Sequence, residues 1–188
     1  TGEISAGAGA GTSGTQISFG IAEKNYAGTG VKLDTSFLIS DTTLRGKFSV
    51  DNPNYKNSDR SLRTILESTN TDQMSNFGYE TTRTGLSFGT SFEQFRDVYF
   101  SPSFSNYYEK LKTSSTASST KKKQDGSYFD SEFSYGLALN RLNQKYQPTD
   151  GYKSTFYQTV PLVSDDYALD SSYEYSKFIS PNESVVFN

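Results

Sequence analysis

The chain has 188 residues, a hydrophobic fraction of 33% and a formal charge of −3, and it contains neither Cys nor His. Their absence excludes disulfide frameworks, zinc and thiolate metal sites, and hydrolases that rely on a His base. Mild acidity gives no reason to expect nucleic acid as a partner, and no run approaches the ~20 consecutive apolar residues of a membrane helix.

From the first residues onward, short segments alternate apolar and polar side chains between Gly, Pro, Asn and Asp. On a strand, successive side chains point to opposite faces, so each such segment has one apolar and one polar side. The pattern predicts strands at 2–10, 15–24, 31–40, 43–51, 61–70, 77–90, 97–109, 129–140, 151–162 and 167–178, with an eleventh beginning near Ser184.

The first segment carries little side-chain mass beyond Ile4. Its glycines admit two readings: room for a bulky neighbour, or a deliberately weak seam. Gly9-Ala-Gly11-Thr-Ser-Gly14 matches a dinucleotide-loop spelling, but residues 15–21 alternate as a strand and do not form the helix that chemistry needs, so Thr12-Ser-Gly14 reads as a hairpin turn. In the second segment Ile17, Phe19 and Ile21 oppose Gln16, Ser18 and Gly20; in the third, Leu33, Phe37 and Ile39 oppose Lys32, Asp34 and Ser36. In the fourth, Leu44, Phe48 and Val50 oppose Arg45, Lys47 and Asp51.

Charges thus collect on the side away from the apolar set, and many segments reach the ~9–11 residues needed to cross a bilayer tilted. Aromatics make up 15% of the chain, and several stand near segment ends, where a membrane barrel carries its interfacial girdles. The long connection 110–128 holds a Ser/Thr-rich run ending in Lys121, Lys122 and Lys123, expected as a solvated mobile loop, with contact to lipid phosphates as the alternative. The carboxylates form no paired constellation and no calcium loop, so no catalytic residue, metal site or cofactor is expected.

Three turns carry a resemblance. Asn25-Tyr-Ala-Gly-Thr-Gly30, Asp51-Asn-Pro-Asn-Tyr55 and Gln147-Pro-Thr-Asp-Gly-Tyr152 resemble, in order and spacing, turns of the BamA-like barrels in the bacterial surface antigen family. Their characteristic residues are Asn25, Gly28, Gly30, Pro53, Pro148 and Gly151: glycines that permit positive φ and prolines that stop a strand ladder. The resemblance implies an all-β, antiparallel transmembrane β-barrel of up-and-down topology. Residues 1–188 would supply about ten to eleven of the family's sixteen strands. The periplasmic domains, the remaining strands and the Arg-Gly-aromatic loop motif are not found (Arg45-Gly46 lies mid-strand), which suggests an excerpt of a longer protein.

The implied role is not enzymatic. It is the folding and insertion of barrel proteins into the bacterial outer membrane, with unfolded outer-membrane proteins, assembly-machine lipoproteins and the lipid bilayer as partners. In the family an incoming strand pairs with the exposed edge of the first strand. Carried over, that edge is Glu3, Ile4, Ser5, Ala6, Gly7, Ala8, Gly9 and Ala10, and the resemblance favours the seam reading of its glycines. The alternatives are a TamA-like translocation barrel, a passive pore or adhesin lined by Lys32, Asp34, Arg45 and Lys47, and a soluble β-sandwich. An open wall would leave about ten backbone groups unpaired on each edge, a cost of tens of kcal/mol in lipid, so the chain alone is expected to aggregate or recruit another copy.

Overall fold

A computed structural model describes residues 2–11, 14–144, 146, 148–164, 169–180 and 183–187. Eleven strands form one antiparallel sheet in strict chain order: β1 Gly2–Gly11, β2 Gly14–Tyr26, β3 Val31–Ser40, β4 Thr43–Asn52, β5 Ser61–Gln73, β6 Tyr79–Phe95, β7 Val98–Thr113, β8 Gly126–Asn140, β9 Gly151–Val163, β10 Asp170–Ser180 and β11 Glu183–Phe187. Two short helices, α1 Met74–Phe77 and α2 Ser119–Lys123, sit in connections. Every strand pairs only with its sequence neighbours, so β1 and β11 are the outer strands among the described residues. Among the described residues there is no second layer, and the sandwich alternative falls.

Register sorts the residues into two continuous faces. Ala8, Ile17, Ile39 and Leu44 lie in one cross-strand row. Phe48, Leu66 and Leu86 form another, and Phe88, Phe104, Phe133 and Val160 a third. The opposite face carries Lys32 paired with Asp51, Lys47 with Glu67 and Arg83 with Glu109. A water-soluble sheet would bury the apolar face against something. Here, among the described residues, Leu111 and Ala117 are the only buried hydrophobics, while side chains such as Ile17, Phe48 and Phe88 stand exposed. Such a surface is stable only where the surroundings are themselves apolar.

The apolar band runs diagonally across the rows. The row of Ile17, Ile39 and Leu44 continues into Asn70, Thr82 and Lys110, leaving the band by β5. The row of Phe92, Phe100, Leu137, Phe156 and Tyr173 is apolar from β6 to β10. The centre of the band therefore moves by about one residue per strand. With a rise of ~3.3 Å and a strand spacing of ~4.8 Å, this inclines the strands by about 35° to the normal of the band, the tilt of strands in a membrane barrel.

Two prolines sit inside strands. Around Pro102 the β6–β7 register holds from Gly89↔Ser103 to Phe92↔Phe100, and the hydroxyls of Ser91 and Ser101 meet at 2.8 Å within that stretch. Pro161 lies at the register shift between β8 and β9. At that shift a missing N–H costs little, because the ladder is already irregular.

The connection 113–126 is folded, against the expectation of a mobile loop. Ser118 Oγ caps α2 by accepting from the Lys121 N–H, and Lys122 Nζ donates to the Ser115 carbonyl at 2.7 Å. The Ser114 N–H donates to the Gly78 carbonyl at 2.7 Å, and Lys121 lies 5.0 Å above the Tyr79 ring. Asp125 closes the base by accepting from both Thr113 Oγ1 and the Thr113 N–H, at 2.6 and 2.7 Å. These two bonds, the side-chain one foremost, hold its carboxyl below the usual carboxylate range.

Candidate functional site

The residues picked out at 3–10 come together as one edge. β1 pairs with β2 from Gly2↔Glu23 to Gly11↔Gly14, and no described strand covers its other side. In an antiparallel strand alternate residues direct N–H and C=O away from their partner, so about five residues of β1 offer donors and acceptors outward. Ile4, Ala6, Ala8 and Ala10 share the apolar face, and Glu3, Ser5, Gly7 and Gly9 the polar one.

Side chains add little to the β1–β2 pairing. Ile4 is 76% exposed despite facing Ile21. A Cβ at Gly9 would meet nothing within 4 Å, and one at Gly7 would come 3.0 Å from Ser18 Oγ. On the polar face Ser5 Oγ reaches the Gly20 carbonyl at 3.5 Å, and Lys24 forms an ion pair with Glu3. Both ends of that pair are exposed, which limits it to a small contribution. At the far end of the hairpin, Asp41 from the β3–β4 turn accepts from Thr15 Oγ1 at 2.9 Å and from the Thr15 N–H at 3.3 Å. The hairpin reading of Thr12-Ser-Gly14 lies largely outside the described residues, although Gly14 itself has φ +106°.

The turn residues stand together along the opposite rim. Asn25 Oδ1 accepts from the Gly30 N–H at 2.6 Å, while Gly28 and Gly30 take φ of +76° and +75°. Pro53 follows the last residue of β4, after which Asn54 Oδ1 accepts from the Asp59 N–H at 3.0 Å. Before β9, Asn143 Oδ1 accepts from the N–H groups of Thr149 and Asp150, both at 3.2 Å. Pro148 precedes this pair, and Gly151 opens the strand at φ +102°. Asn54 and Asn143 were missed in the sequence because their role depends on a backbone donor five to seven residues away. Among the described residues no group of three or more Asp or Glu is placed to hold a metal.

A single up-and-down antiparallel sheet with tilted strands, a charged face, and an apolar face lacking any core beneath it is part of the wall of a transmembrane β-barrel. Residues 25–188 match the Omp85 superfamily domain, and the chain belongs to that superfamily. The match begins after β1, so residues 3–10 are not part of it.

Among solved structures, the fold is similar to that in the crystal structure of BamA from Haemophilus ducreyi lacking POTRA domains 1–3. The TM-score is 0.66 with 21% identity, over 94% of this chain and 37% of that one. The chain thus spans just over a third of that barrel protein's length. No curated sequence matches.

Proposed function

We propose that the chain forms the first-strand side of an outer-membrane assembly barrel and recruits an incoming strand on the free edge of β1. The clients would be unfolded outer-membrane proteins, delivered with the help of assembly-machine lipoproteins. The cycle needs no covalent chemistry. An extended client segment satisfies the outward N–H and C=O groups of residues 3–10 by β-augmentation, the client folds onward from that template, and the new strand leaves into the bilayer. In this reading the β1–β2 turn faces the exterior and residues 1–188 are the amino-terminal part of the barrel domain.

One observation carries the proposal: of the two outer strands among the described residues, β1 is the one built mainly of glycine and alanine. Cross-strand side-chain pairs contribute about 0.2–1 kcal/mol each, and most are missing between β1 and β2, where glycine and alanine face the partner. A strand docked on the outward edge of β1 would likewise be held by backbone pairing almost alone, so exchanging one such strand for another replaces little else.

The test is Gly9→Val in the full-length protein. Since a Cβ there meets nothing, the barrel should fold normally while a branched side chain encumbers the templating edge. Folded barrel at normal abundance with impaired client insertion is the expected outcome, and Gly7→Val should act in the same direction. Unchanged insertion by both variants removes the proposal.

A further inference from the structure

The apolar face of β4 to β7 carries a built feature that strand templating does not use. Lys110 and Lys112 stand on that face of β7, in register with Thr82 and Glu80 of β6. Lys112 Nζ donates to Glu80 Oε2 at 3.3 Å. Asn70 Nδ2 donates to Glu80 Oε1 at 2.9 Å and to Thr82 Oγ1 at 2.8 Å. Lys110 is exposed beside this network.

One row further into the band, register places Gly46, Ser68 and Thr84 side by side between Phe37 and Tyr108. The hydroxyls of Ser68 and Thr84 meet at 2.9 Å and so satisfy each other. With Phe48 and Leu66 along its other side, this run of small residues leaves a furrow of about 280 Å³.

The geometry points to a binding site for one anionic, phosphate-bearing lipid of the surrounding leaflet, its phosphate at Lys110 and Lys112 and an acyl chain in the furrow. Charge and shape agree. A lysine facing lipid is tolerated near the headgroups, where it costs about 0–1 kcal/mol against ~2–4 at the midplane. Glu80 fixes Lys112 in place but offsets only one of the two cations. Lysines that merely snorkelled to water would need no furrow beneath them, and small residues on a wall leave a gap that an acyl chain fills. The basic run singled out in the sequence, Lys121 to Lys123, is a poorer candidate, because Lys121 is spent on Tyr79 and Lys122 on the Ser115 carbonyl.

The site can be tested on the full-length protein in micelles doped with phosphatidylglycerol, with phosphatidylcholine as the zwitterionic reference and bound lipid read by native mass spectrometry. The parent should retain phosphatidylglycerol preferentially. Replacing both lysines, Lys110→Gln with Lys112→Gln, should lower that preference roughly five- to twenty-fold, and Lys110→Gln alone, which leaves the Glu80 pair intact, by about fivefold. Gly46→Val should reduce retention of both lipids by filling the furrow, and Lys56→Gln on the other rim should change nothing. Unchanged preference in Lys110→Gln and the double variant overturns the inference, as does displacement of the lipid by millimolar inorganic phosphate, which would mark a free-anion site.

Discussion

The β1–β2 and β6–β7 pairs are built on the same backbone pattern, yet they are fastened in opposite ways. Between β6 and β7 the side chains interlock. Gly85 leaves space that the Tyr107 ring fills, and a Cβ there would lie 2.5 Å from two of its carbons. The Arg83 guanidinium stacks 4.2 Å over the same ring and reaches Glu109 at 3.8 Å. On the other face Phe92 and Phe100 meet edge to face at 5.8 Å, and the contact runs on through Tyr135 to Phe156. Between β1 and β2 glycine faces serine and alanine faces phenylalanine, with one exposed ion pair. Side chains alone can thus fasten one backbone ladder firmly and another lightly. Glycine serves both ends: at Gly85 it admits a partner, and at Gly9 it admits nothing.

The largest effect that would break this contrast is expected at Gly85. Gly85→Val should expel the Tyr107 ring and with it the cation–π stack, costing about 2–3 kcal/mol of barrel stability. Denaturant unfolding of the full-length protein, followed by strand signal or gel mobility, measures it. If Gly85→Val is as harmless to stability as Gly9→Val is expected to be, the two glycines are equivalent and the contrast is wrong.

Much of this wall was legible in the sequence. Strand positions followed from alternation, because apolar surroundings on one side and a charged face on the other dictate a period of two. The ends were less legible. The sixth strand, expected at 77–90, runs Tyr79–Phe95, since Phe77 closes α1 against Gly78 in the left-handed region while no breaker interrupts the Ser-Phe-Glu-Gln-Phe95 run. The seventh, expected at 97–109, extends to Thr113 because Lys110-Leu-Lys112 still alternates, with Leu111 buried and both lysines outward.

What could not be read was anything set by register. That Gly85 houses Tyr107, or that Gly46, Ser68 and Thr84 form one furrow, depends on pairings across strands distant in sequence. The order of the connection 113–126 escaped notice because a composition of Ser, Thr and Lys says little about capping, which depends on where Ser118 and Asp125 stand relative to particular N–H groups.

A smaller effect sharpens the comparison from the other side. Ile4→Ala removes the largest side chain of β1, yet most of that side chain touches nothing in the wall. Its cost should stay within about 0.5 kcal/mol in the same unfolding measurement. A loss comparable with that of Gly85→Val would mean that side chains fasten β1 to β2 after all.

The smallest effect concerns only the cap that continues β7, and it should leave every strand untouched. Asp125 accepts two hydrogen bonds from Thr113 as a carboxylate, and its folded pKa is accordingly depressed. A depressed acid stabilises the fold fully above its unfolded value of ~3.9 and loses that contribution as pH falls through the folded value. The base of the connection 113–126 should therefore be fastened at neutral pH and loosen only in strong acid. Amide hydrogen exchange resolved to this segment should show protection that weakens below about pH 4, whereas Asp125→Asn should weaken it already at pH 7 and remove the pH dependence. The Asn54 turn on the opposite rim closes on the neutral amide oxygens of Asn52 and Asn54, so those acceptors should be unaffected by the same acid. Equal acid loosening of the Asn54 turn would show that Asp125 is not what fastens the cap.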